Sequence, residues 1–138
     1  MKKLALLLLI VSAFISCSPL DDNAPNYYLD VLPVESYTIP KSFDMNATYD
    51  IKVTYKRPTD CYVYDAIYYE KSGDVRTFGI QAMVLDNENC KPVNEEPIEV
   101  TFGFQCTPGY SQYVFKFYKG DDENGNAIFE EVVIPVTY

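Results

Sequence analysis

Histidine is absent from the chain, and so is tryptophan. Without imidazole there is no Ser/His/Asp or Cys/His catalytic arrangement and no histidine-ligated metal. Cations are scarce: Lys and Arg total 11 against 20 Asp and Glu, a formal net charge of −9. That sign repels nucleic acid and anionic headgroups, so neither is expected as a partner of the folded domain. Beyond residue 26 no helical period is found. What the chain does have is 13 Tyr and 8 Phe among 138 residues, with 48% of the sequence hydrophobic. Such a composition folds, and its length suits one domain.

The first residues read as an address. Met1-Lys2-Lys3 is basic, and Leu4 to Ile15 is apolar except for Ser12. This run is short for a bilayer span and sits where a secretory signal belongs. Phe14-Ile15-Ser16-Cys17 resembles a bacterial lipobox, with Phe14 in place of the usual leucine. The resemblance implies cleavage before Cys17 and acylation of its thiol and freed amine. Two or more acyl chains anchor a protein stably, at about 0.8 kcal/mol per buried CH₂. Ser18 to Asn23, with Asp21 and Asp22, resembles the acidic export signal of Bacteroidota surface lipoproteins. The implied organisation is a signal peptide over 1–16, a lipidated tether over 17–26 and a domain over 27–138. The implied location is the outer membrane, lipid-anchored, facing outward; the alternative is a plain polar tether with the domain facing the periplasm.

The domain reads as strands with period two. Thr48 to Lys56 is the cleanest, with Tyr49, Ile51, Val53 and Tyr55 on one face. Tyr27 to Ile39 reads as a first strand interrupted by Pro33, which suits an edge or a kink between sheets. Cys61 to Glu70, Val75 to Leu85, Ile98 to Cys106, Gln112 to Lys119 and Ala127 to Tyr138 complete the set. Phe78, Ile80, Ala82 and Val84 point inward, as do Tyr113, Phe115 and Phe117, and then Ile128, Val132, Ile134 and Val136. About seven antiparallel strands, each with one apolar face, predict an all-β, immunoglobulin-like sandwich. An antiparallel barrel is the alternative closure. Cys61-Tyr62-Val63-Tyr64, Asn89-Cys90 and Phe115 to Gly120 are similar to segments of small lipoproteins of flavobacteria and their relatives. That likeness brings no activity with it.

With Cys17 assigned to lipid, three cysteines remain, and an exported chain permits a disulfide. Cys61 opens the third strand and Cys90 follows the fourth, so both lie at one end of the sandwich. Cys106 closes the fifth strand, about 25–30 Å away at 3.3 Å per residue, while a bridge needs Cα atoms within about 7 Å. The expected pair is therefore Cys61–Cys90, with Cys106 a buried, inert thiol.

Gly120 to Asn126 loosely echoes a calcium loop, but a strand follows where a helix should. Asn124-Gly125 fits a type I′ hairpin instead, and no metal site or cofactor is assigned. Adjacent carboxylates such as Glu130 and Glu131 point to opposite faces and cannot form a catalytic pair. Tyr62, Tyr64 and Tyr68 are expected on one strand face and Tyr69 on the other. Together with Asp121 and Asp122 they form the candidate binding surface, for an unidentified protein or glycan. The expected function is a non-enzymatic, membrane-tethered binding module; the alternative is a structural component of an envelope complex.

Overall fold

The computed structural model describes residues 25–138; the signal segment, Cys17, Asp21 and Asp22 lie outside the described residues. Nine strands follow one another: β1 (Tyr27–Leu32), β2 (Ser36–Thr38), β3 (Phe43–Asp44), β4 (Thr48–Tyr55), β5 (Tyr62–Ser72), β6 (Val75–Leu85), β7 (Ile98–Gln105), β8 (Gln112–Asp121) and β9 (Ala127–Thr137). One sheet is ordered β2-β4-β7. The other runs β6-β8-β9-β3, with β5 on one side of β6 and β1 on the other. No described helix is long and apolar enough to cross a membrane.

The two strands beyond the expected seven have local causes. Pro33 cannot donate to a ladder, and the chain changes sheets there, leaving β1 in one sheet and β2 in the other. Val34 N–H then bonds Tyr118 C=O and Glu35 N–H bonds Thr54 C=O, one in each sheet. The second addition, β3, is only two residues long. Two pairings are parallel, β3 with β9 and β6 with β8, where antiparallel pairing throughout was expected. Between β6 and β8 the chain crosses to the other sheet as β7, so it returns running in its original direction.

The inward rows meet as the alternation requires. Ile51 and Val53 of β4 are buried, as are Phe78 and Ile80 of β6 and Tyr113, Phe115 and Phe117 of β8. Each large apolar side chain so buried contributes about 1.5–3 kcal/mol. Aromatic rings bridge the two sheets. Phe104 lies 5.2 Å from Phe115, Phe102 lies 5.2 Å from Phe78, and Tyr37 stacks on Phe117 at 4.0 Å. Phe43, delivered by β3, lies within 6.2 Å of four other rings. Ile128 was expected inward but is exposed. It faces Gly120 at the tip of the β8–β9 hairpin, beyond the last core layer.

Cys61 and Cys90 form the expected disulfide, with Cα atoms 5.5 Å apart and a sequence separation of 29. They meet because β5 and β6 are antiparallel, which brings the start of one beside the end of the other. Cys106 is a free, buried thiol at the other end, where its N–H bonds Ala47 C=O. Burial pushes that thiol's pKa up, which suppresses the reactive thiolate.

Candidate functional site

The tyrosines of β5 do not share faces as the simple alternation predicts. Tyr62 pairs with Val84 and Tyr64 with Ala82, but Ile67 pairs with Ile80 and Tyr69 with Phe78. All four partners belong to the buried row of β6. The register shifts between Tyr64 and Ala66, so Asp65 is an extra, bulged residue. One extra residue reverses the parity of everything after it. Tyr62, Tyr64 and Tyr69 therefore face the other sheet, and Tyr68 faces outward beside Gly79.

Each tyrosine is held differently. Tyr62 donates to Asp30 Oδ2 at 3.2 Å. Burial, then the nearby Asp30 carboxylate, push its phenol up to about 12. Tyr64 lies over Tyr55, ring centroids 6.1 Å apart, and stays 40% exposed because β5 is an edge strand. Tyr69 packs on Phe102 at 4.6 Å and Phe78 at 5.1 Å. Tyr68 donates to Glu70.

Asp121 and Asp122 are committed to the β8–β9 hairpin. Asp121 Oδ1 accepts from Tyr118. Asp122 Oδ1 accepts the N–H groups of Asn124 and Asn126 at 2.8 and 2.9 Å, which lowers its pKa. Gly125 N–H closes a four-residue turn onto Asp122 C=O. Gly125 has φ 79° and Asn124 does not have positive φ, so the turn is not type I′. It begins at Asp122 and ends in a left-handed glycine, the three-residue hairpin pattern. Of the four tyrosines only Tyr68 is on the outward face, where Gly79 lies between it and Tyr118, the donor to Asp121 Oδ1; Tyr62, Tyr64 and Tyr69 are turned toward the other sheet.

What the fold does assemble is a cleft of about 280 Å³ where the sandwich gapes between two edge strands, β5 and β7. Tyr69 and Lys71 line it from β5, Arg76 from β6, and Phe102 to Gln105 from β7. Thr107 lines it as well. Arg76 is only 6% exposed. Its Nη1 donates to the carbonyls of Gly73 at 2.6 Å and Val75 at 2.8 Å, while its Nε is buried without a partner. The guanidinium carbon lies 4.9 Å from the Tyr113 ring centroid and 5.9 Å from that of Tyr110. Burial raises the pKa of Tyr69, and Arg76 opposes the rise.

The sequence alone does not single out Arg76. A signal is nonetheless present. Position 76 has the parity of Phe78, Ile80, Ala82 and Val84, so a charged residue stands in an inward, apolar row.

A second surface is apolar. Leu29, Met83 and Val63 are cross-strand neighbours on the outward face of β1, β6 and β5. Leu29 is 58% and Val63 46% exposed. Compared with known proteins, the chain matches no family model, no curated protein and no solved structure.

Proposed function

We propose that the protein is a non-enzymatic binding module, lipid-anchored through Cys17 at the outer membrane and facing outward by virtue of Asp21 and Asp22. In this reading it belongs with the small lipoproteins of flavobacteria and their relatives, and its sandwich is of the immunoglobulin type. Three features support that type. The order β2-β4-β7 reproduces A-B-E of the immunoglobulin sheet. The β8–β9 pair stands where F and G stand. Tyr113, near the start of β8, bonds back to the backbone of Thr107, as a tyrosine corner does. The β5–β6 hairpin is the departure, since β6 lies beside β8 and runs parallel to it.

The observation that carries the binding function is the cleft. It is concave, aromatic-walled and positively charged in a chain of net charge −9. The test is a small-fragment screen by NMR on the isotope-labelled, detergent-solubilised full chain. Shifts clustered at residues 69–76 and 102–107 are expected. Shifts clustered elsewhere, or none, would remove the cleft as the binding site.

A structural role in an envelope complex is the second reading. It is favoured by the outward Leu29–Met83–Val63 row beside the eleven-residue free edge of β5. In that case sedimentation should show self-association that the Val63→Lys variant abolishes.

A further inference from the structure

Lys71 and Arg76 are paired residues of the β5–β6 ladder, so they stand directly opposite each other on the inward face. Like charges in that relation repel and destabilise a sheet. Neither forms an ion pair with a carboxylate among the described residues; the cations that do are Lys52, Arg57, Lys116 and Lys119. Arg76 is buried as well, and taking a charge out of water without a counter-ion is costly. Two carbonyls and two aromatic faces offset part of that cost, yet they supply no negative charge. In a chain so rich in carboxylates, two opposed cations at the cleft have none paired with them among the described residues.

The walls restrict which counter-ion fits there. Tyr69, Phe102 and Phe104 present rings, while Thr107 and Gln105 offer polar groups at the same cleft. A volume of about 280 Å³ is small, enough for a single ring or short chain with one charged group. A guanidinium and an ammonium side by side match a carboxylate, and the rings match an apolar body.

We propose that the cleft between the free edges of β5 and β7 binds a small organic acid. Its carboxylate is held by Arg76 and Lys71, and its apolar body lies against Tyr69, Phe102 and Phe104. The inference rests on the cleft being the binding site. Arg76 supplies a fixed charge, pinned through Nη1 by Gly73 and Val75. Lys71 is exposed at the mouth and closes over the carboxylate.

The test is titration of the detergent-solubilised full chain with benzoate, benzamide and sulfate, followed by NMR. Benzoate should shift residues 69–76 and 102–107 and bind roughly tenfold more tightly than the neutral benzamide, the size of one charge-assisted hydrogen bond. Lys71→Met, at an exposed position, should weaken benzoate and leave benzamide unchanged. Arg76→Gln should do the same more strongly if it folds; Lys71→Met decides if it does not. Equal binding of benzoate and benzamide at the cleft would overturn the carboxylate and leave the cleft standing. Sulfate binding as tightly as benzoate would overturn the apolar half. No shift at the cleft with any probe would overturn both the ligand class and the site.

Discussion

Tyr113 and Gly79 hold the fold at single positions by opposite means, one through a polar atom and the other through a missing one. The Tyr113 hydroxyl accepts from Thr107 N–H and donates to Thr107 C=O, both at 3.1 Å, from an otherwise buried ring. Tyr113→Phe keeps the ring and removes both bonds. A loss of about 1–3 kcal/mol in urea unfolding is expected, with a looser 107–111 turn in hydrogen exchange. Gly79 is buried beneath outward-facing side chains. A Cβ there would meet Val31 Cγ1 at 2.6 Å and the Cβ atoms of Tyr68 and Tyr118 at 3.7 Å. Gly79→Ala should cost about 1–3 kcal/mol by overpacking. Combined with Val31→Ala it should cost less than the two single changes added together, and strict additivity in denaturant melts would show that the methyl finds room elsewhere.

At the scale of elements, the disulfide ties the start of β5 to the loop that follows β6. By the chain-entropy relation, a separation of 29 residues contributes about 3–4 kcal/mol. Replacing Cys61 and Cys90 together by Ala should lower stability by that order in equilibrium unfolding while the strand content in far-UV circular dichroism is kept. The bridge was legible in the sequence because it needed only strand ends and directions. The strands themselves were legible for the same reason: β4, β6 and β8 carry unbroken alternation between turn residues. The faces of β5 were not, because one unpaired residue, Asp65, leaves no mark in composition yet inverts Tyr68 and Tyr69. Neither was β3, whose two residues are too few to show a period, although Phe43 is a hub of the core. The cleft was hidden for a further reason. It joins β5 to β7 across two sheets, and which edges of a sandwich lie together is a tertiary fact that no local pattern contains.

The whole molecule has an uneven relation to pH that follows from its inventory. With no histidine, no side chain is expected to titrate between about pH 6 and 8, so the melting temperature should be flat there. Above it the buried Cys106 thiol, held above its ordinary value, is the first group whose contribution is lost. Above that range the tyrosines matter. Tyr62 is pushed up to about 12, and Tyr37, Tyr55, Tyr69 and Tyr118 are raised mainly by burial. Each phenol binds its proton more tightly folded than unfolded. Its stabilising contribution is therefore complete below the unfolded value of about 10 and is lost as pH climbs through the folded one. On the acid side Asp122 acts the other way. Its depressed pKa gives stability above the ordinary carboxylate range that fades as pH falls through the lowered value. Thermal melts across pH should show a plateau with a steep alkaline edge. A slope inside the plateau would mean that some other group titrates there.

The first strand also decides how the domain would answer a pull. A force applied at the N-terminus enters through β1, which is joined to its own sheet by a six-residue ladder along the far half of β6. The near half of that same side belongs to β8, and Pro33 ends the ladder. Under load β1 can therefore peel away as a unit, as far as the Val34–Tyr118 bond. The rest of the sandwich keeps its own ladders, and β5 with its disulfide remains fastened along the opposite side of β6. Parting of β1 would lengthen the chain ahead of the remaining strands by several residues before tension reached the cleft between β5 and β7.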